Sequence, residues 1–153
     1  MVVVRRMKPE DRDSVAKIFE KSFTGSYLYW SIRLLDRLET IVAEVSGEVV
    51  GAAELYMTSC EGYGRVGVIA FVAVAPAWRG RGIGRKLVEE AEKLFRQRGC
   101  RFAAASTRSS NKASIALFTS LGYSVHERGG GVFEELEDAL YAYEDDTIFL
   151  KRL

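Results

Sequence analysis

Hydrophobic and polar positions along this chain follow two periods, one near two residues and one near 3.6. Val2–Arg6 has the composition of a short strand. Pro9 then stands where a first helical turn tolerates it, and Val15, Ile18, Phe19 and Phe23 follow at helical spacing until Gly25, read as the stop. Residues 27–38 repeat the helical pattern less cleanly. Residues 40–45 and 48–57 read as strands joined by a hairpin turn at Ser46-Gly47, with a loop over 58–64 behind them. Residues 66–75 (VGVIAFVAVA) form a nearly unbroken apolar run of strand length, rich in β-branched residues. That is the pattern of a central strand covered on both faces, and Pro76 ends it.

The clearest helix comes next. Ile83, Leu87, Val88, Ala91, Leu94 and Phe95 share one face. Glu89, Glu90 and Glu92 come early, Lys93, Arg96 and Arg98 late, and Gly99 supplies the stop. Residues 101–107 predict a strand, 111–121 a helix ended by Gly122, and 123–127 and 147–152 two further strands. Between the last two, residues 128–146 read as an insertion, with Gly129-Gly130-Gly131 and an acidic helical piece around 133–140. The order of elements predicts a single α/β domain over residues 1–153.

Composition agrees with one globular domain: 153 residues, 48% hydrophobic and 28% charged, exclude disorder and fibrous repeats. Met1 to Arg6 is too short for a signal segment, and no run nears the roughly 18 apolar residues of a membrane span, so the expectation is a cytoplasmic protein without membrane contact. Cys60 and Cys100 are isolated and His126 is the sole histidine, which predicts no metal site. The net charge of +1 hides an uneven distribution. Residues 79–112 carry ten basic and three acidic side chains, and residues 127–153 three basic and eight acidic. The basic stretch suits an anion. Its helix also bears Glu89, Glu90 and Glu92, which argues against nucleic acid as the partner.

Within that stretch, an apolar strand runs through Pro76-Ala77-Trp78-Arg79-Gly80-Arg81-Gly82-Ile83-Gly84-Arg85 into the helix. A helix N-terminus exposes unpaired N–H groups and a partial positive charge, and glycines let a phosphate approach the backbone. Arg79, Arg81 and Arg85 add permanent charge. A diphosphate matches this cradle. The dinucleotide fingerprint is excluded because Arg85 stands where its third glycine would be, and no Gly-Lys-Ser/Thr of a P-loop occurs.

Arg79, Gly82 and Gly84 resemble the acetyl-CoA loop of the GNAT family, the Gcn5-related N-acetyltransferases. The segment from Asn111 to Tyr123, with Ser114, Leu117, Phe118 and Gly122, is similar to a second family signature at the expected spacing. The resemblance implies the GNAT fold, a mixed and mainly antiparallel sheet of six or seven strands with about four helices. It implies acetyl-CoA as co-substrate, no metal, and an amine acceptor: a protein or peptide N-terminus or lysine, or a small amine. It places the diphosphate on the backbone of Gly80, Arg81, Gly82, Ile83, Gly84 and Arg85, and the pantetheine arm along Val72, Ala73 and Val74. The Val74 amide would stabilise the charge developing on the thioester oxygen. Asn111 and Phe118 would contact the cofactor arm, although Asn111 equally suits a helix N-cap. Tyr27, Tyr29, Trp30, Tyr141 and Tyr143 would line the acceptor site, or else belong to the core. The chain would be a monomer or a homodimer.

The sequence departs from the family at three positions that commonly carry proton transfer, which hold Ala70, Ser106 and Phe118. Glu54, Tyr123 and Ser106 are the side-chain candidates left, with an outward-facing strand residue as the ordinary reading for Glu54. His126, Cys60 and Cys100 are weaker ones. The competing function is an acyl-CoA-binding sensor or interaction module without turnover.

Overall fold

The computed structural model describes residues 1–153 and contains seven strands: β1 (Val2–Arg6), β2 (Glu39–Val45), β3 (Glu48–Cys60), β4 (Gly64–Val74), β5 (Phe102–Thr107), β6 (Ser124–Glu127) and β7 (Thr147–Arg152). Five α-helices accompany them: α1 (Arg12–Ser22), α2 (Gly25–Arg33), α3 (Ile83–Gln97), α4 (Lys112–Ser120) and α5 (Gly131–Leu136). The strand order is β1-β2-β3-β4-β5-β7-β6. The β1–β2, β2–β3, β5–β7 and β6–β7 ladders are antiparallel, and β4–β5 is parallel. This is the mixed, mainly antiparallel α/β sheet that the sequence predicts. The β4–β5 ladder covers only Val66–Val68, so six further residues of β4 run on outside it.

The chain groups into two compact units, Met1–Tyr56 with Phe71–Ala91, and Met57–Ala70 with Glu92–Leu153. In the first, Val42 of β2 stands opposite Ala52 of β3, and both join a core with Val15, Ile18 and Phe19 of α1. Gly51 points to the other face. A Cβ there would lie 3.1 Å from Leu87 and 3.2 Å from Ile83, so α3 sits on the backbone of β3 as closely as a glycine allows. In the second unit, a Cβ on Gly67 would lie 2.2 Å from the Phe95 ring, which leaves glycine as the one residue that α3 tolerates at that point of β4. Phe133, Leu136, Ile148 and Phe149 fill its interior.

Local pattern mistook several boundaries. The loop expected over 58–64 is a turn of residues 61–63, because β3 continues through Cys60 and β4 starts at Gly64. Gly25 does not stop α1, which ends at Ser22. It opens α2 behind an extended Thr24, in the left-handed region at φ +57°. Residues 27–38 are not one helix either: α2 ends at Arg33 and a 3₁₀ turn, Leu34–Asp36, follows. Residues 128–146 hold only the short α5 and a series of turns. Arg128 anchors them, donating from Nη2 to the carbonyls of Ala142 (3.0 Å) and Asp145 (2.6 Å) and from Nη1 to Glu137 (2.8 Å). Its guanidinium also lies 4.6 Å from the centre of the Phe133 ring.

Candidate active site

In the first unit, β4 delivers the chain into a 3₁₀ turn, Pro76–Trp78, and then into the Gly/Arg loop before α3. Ala75 N–H donates to Val50 O of β3 at 2.7 Å. Successive amides of an extended strand alternate in direction, so the N–H and C=O of Val74, and those of Val72, point away from β3. The Val74 carbonyl is met there by Arg79 Nε at 3.0 Å, while Arg79 Nη2 reaches Ser22 Oγ at 3.2 Å. Arg79 therefore latches the loop to the end of β4 and to α1 rather than standing free as a phosphate ligand. Arg81 is exposed, with its guanidinium 4.8 Å from the centre of the Trp78 ring.

Gly80 and Gly82 have φ of +76° and +79°, and a Cβ on either would meet nothing within 4 Å. Backbone conformation, not crowding, demands glycine here. The first α-helical bond runs from Lys86 N to Gly82 O. The amides of Ile83, Gly84 and Arg85 thus precede the helix's own ladder, the ordinary condition for an anion nest.

The candidates of the second unit are engaged with one another. Ser106 Oγ donates to Asp145 Oδ2 at 2.6 Å. Asn111 caps α4, its Oδ1 accepting from Ser114 N at 3.1 Å, and its Nδ2 reaches Thr107 Oγ1 at 3.3 Å. Phe118 is 3% exposed, stacked on Phe149 at 4.8 Å and edge-on to Tyr123 at 5.1 Å. Tyr123 is core as well: its hydroxyl donates to the buried Glu92 at 2.7 Å, and Lys151 Nζ completes the group at 3.1 Å. Burial first, then the bond to the Glu92 carboxylate, holds the Tyr123 phenol far above its usual range, so it keeps its proton. The two tyrosines before β7 are exposed rather than core. Tyr141, at 73% exposure, has a left-handed backbone (φ +51°), and Tyr143 donates to Asp138 at 2.9 Å.

Of the first-unit aromatics, Tyr27 packs at 6.4 Å on Phe71 of β4, whereas Tyr29 and Trp30 are exposed. Glu54 departs from the outward orientation expected of it: it is 0% exposed, and neither carboxylate oxygen has a hydrogen-bond partner. A glutamate on a strand ordinarily faces solvent, but α1 and α2 cover this face. Burial alone pushes its carboxyl up to about 9. Thr40, opposite Glu54 on β2, has an unpartnered hydroxyl and escaped the sequence reading. Nothing local marks it, because its neighbour is 14 residues away.

No group of three or more His, Cys, Asp or Glu side chains is placed to hold a metal ion. No helix is long and apolar enough to cross a membrane.

The sequence is 36% identical over 88 residues to an acetyltransferase of Sodalis glossinidius, covering 57% of this chain and 58% of that one. It is 37% identical over 84 residues to an acetyltransferase of Pectobacterium atrosepticum, covering 54% and 55%. The matches thus span little more than half the length of these relatives. Among solved structures, a GNAT-family protein from Desulfovibrio desulfuricans superposes with a TM-score of 0.77 at 22% identity, covering 99% of both chains. A ribosomal-protein-alanine N-acetyltransferase from Brucella melitensis gives 0.68 at 24% identity, again covering 99% of both. These likenesses establish the fold. The sequence model of the acetyltransferase (GNAT) family matches residues 8–123, and the chain belongs to that family.

Proposed function

We propose that this protein transfers an acetyl group from acetyl-CoA to a primary amine. One observation carries the reading: the strand-to-helix loop presents the amides of Ile83, Gly84 and Arg85 ahead of the helix's own ladder and behind two left-handed glycines, and the Val74 amide points away from β3. The diphosphate would rest on the loop backbone, with Arg81 and Arg85 supplying charge. The pantetheine arm would lie along Val72, Ala73 and Val74, and the Val74 N–H would meet the thioester oxygen as negative charge develops there. Bound acetyl-CoA supplies an activated acyl carbon and a thiolate leaving group. Family resemblance adds Asn111 and Phe118 as neighbours of the arm. Both side chains already have structural duties, so we assign them support rather than recognition. Arg79 is a positioning residue that holds the loop closed on β4.

Acceptor binding is assigned to Tyr27, Tyr29 and Trp30 and, by resemblance, to Tyr141 and Tyr143, for a protein or peptide amine or a small one. Ser106 and Tyr123 donate to carboxylates and are ill placed to take a proton, which leaves Glu54 as the side chain with unused capacity. Replacing Gly82 by Glu puts a side chain in a left-handed position and a negative charge on the nest. Acetyl-CoA affinity is expected to fall at least about a hundredfold by calorimetry, and retained micromolar binding would refute the reading. The alternative of a sensor without turnover is favoured by Ala70, Ser106 and Phe118 standing where proton carriers are common. Acetyl-CoA binding without product on any member of an amine and peptide panel would select it.

A further inference from the structure

Three buried side-chain oxygens have no hydrogen-bond partner, and they lie together: Thr40 Oγ1 on β2 and both carboxylate oxygens of Glu54, directly opposite on β3. Each residue is two positions along its strand from the Val42–Ala52 pair, so both point to the face covered by α1 and α2. Counting outward from the Ala75–Val50 bond pairs Ala73 with Ala52, which share that core, and Phe71 with Glu54. Phe71 lies beneath Phe23 and Tyr27, at 5.4 and 6.4 Å, and is only half-buried. Phe71 is thus the half-buried neighbour of Glu54 across the ladder, on a strand spaced about 4.8 Å away. A buried carboxyl and hydroxyl without donors are costly, and an apolar pair in their place would continue the Val42–Ala52 row without that cost.

We propose that Thr40 and Glu54 form the subsite for the reacting end of a primary alkylammonium acceptor, with Glu54 taking the proton that the nitrogen must lose. The inference rests on the acetyl-transfer reading above. A primary ammonium carries three N–H donors, and the pair offers three acceptor oxygens. At rest the carboxyl is neutral. The charged groups on the surrounding elements do not ionise it: Arg5 pairs with Asp11 and Glu44 beside β2, and Arg12 of α1 pairs with Asp36 beyond α2. α2 carries the titratable groups Tyr27, Tyr29 and Arg33, β3 carries Tyr56 two positions beyond Glu54, and none of these contributes to the carboxyl's displacement from its usual range. An arriving cation would.

On binding, the Glu54 proton passes to solvent and a carboxylate–ammonium pair forms. One N–H proton then moves to Glu54 as nitrogen bonds to the acyl carbon. The carbon–sulfur bond breaks, sulfur leaves with the electron pair and takes the second proton through solvent, and Glu54 ends neutral as it began. The sum is ammonium plus thioester giving amide, thiol and one released proton.

The probe is n-butylammonium chloride, with tetramethylammonium, which lacks N–H donors, as the control. An infrared difference between wild type and Glu54→Gln at pH 7 should show the carbonyl band of a protonated carboxyl. Butylammonium should abolish that band and release about one proton per molecule bound, read by calorimetry in two buffers, while tetramethylammonium does neither. With butylamine as acceptor, Glu54→Gln should lower kcat about a hundredfold and remove the corresponding limb of the pH profile, with acetyl-CoA affinity held within about twofold. A band that persists in saturating butylammonium, or a Glu54→Gln variant with wild-type turnover, overturns the subsite. If that variant does not fold, Thr40→Val reports on the same place: butylammonium affinity should fall about tenfold, and unchanged affinity counts against the proposal. An intact infrared response in a protein that fails to bind acetyl-CoA would support the subsite and strike the acetyl-transfer reading instead.

Discussion

Polar groups in the two units are treated in opposite ways. In the second, each polar candidate read from the sequence has found a partner: Ser106 with Asp145, Asn111 with Ser114 and Thr107, and Tyr123 with Glu92, which Lys151 also meets. In the first, Thr40 and Glu54 are buried with nothing to bond, and the loop before α3 holds three amides ahead of the helical ladder. A satisfied buried network contributes rigidity and a defined structure. An unsatisfied one opposes folding and persists where it serves binding or chemistry. Residue type alone would have ranked Tyr123 and Ser106 level with Glu54, and their partners separate them.

The largest effect expected from breaking this contrast is on the pH dependence of stability. The folded Glu54 carboxyl is raised from 4.5 to about 9. Between those values the folded chain keeps a proton that the unfolded chain has lost, so rising pH favours unfolding across that window and the effect levels off above it. At about 1.4 kcal/mol per pH unit, wild type should lose on the order of 4 kcal/mol from this group between pH 5 and pH 8. Glu54→Gln should remove that loss. Parallel urea midpoints for the two proteins across the range would show that the carboxyl is not buried in solution.

Next in size is Glu92→Leu, which strips the partner from the Tyr123 hydroxyl and from Lys151 and should cost about 3 kcal/mol in urea unfolding. Acetyl-CoA affinity should hold within about twofold, and a tenfold loss would place this network in binding as well. The smallest effect is that of Ser106→Ala. Losing a hydroxyl donor to a carboxylate should cost about 1.5 kcal/mol and leave acetyl turnover within about twofold. A hundredfold loss would return Ser106 to the list of proton carriers and erase the distinction between the units.

The anion loop was legible because everything it needs is contiguous: an apolar strand, glycines at φ near +78°, and a helix whose first amides precede its own ladder. The central strand and α3 were legible for the same reason, since length, branching and a single apolar stripe are local properties. Gly25 was misread because a glycine between two helical patterns serves either as a stop or as a start, and Thr24 in an extended conformation decides for the start. Residues 128–146 could not be placed because Arg128 organises them through carbonyls 14 and 17 residues away.

What the sequence determined by itself was the family, the strand-to-helix anion loop and the order of elements, all fixed by short-range pattern and backbone requirement. The tertiary structure decided which polar side chains are spoken for. Whether Glu54 faces water or a covered sheet depends on α1 and α2 closing over that face, and whether its oxygens find donors depends on Thr40 across the ladder. Burial and hydrogen bonding are properties of neighbours brought together from distant positions, so no window of sequence contains them.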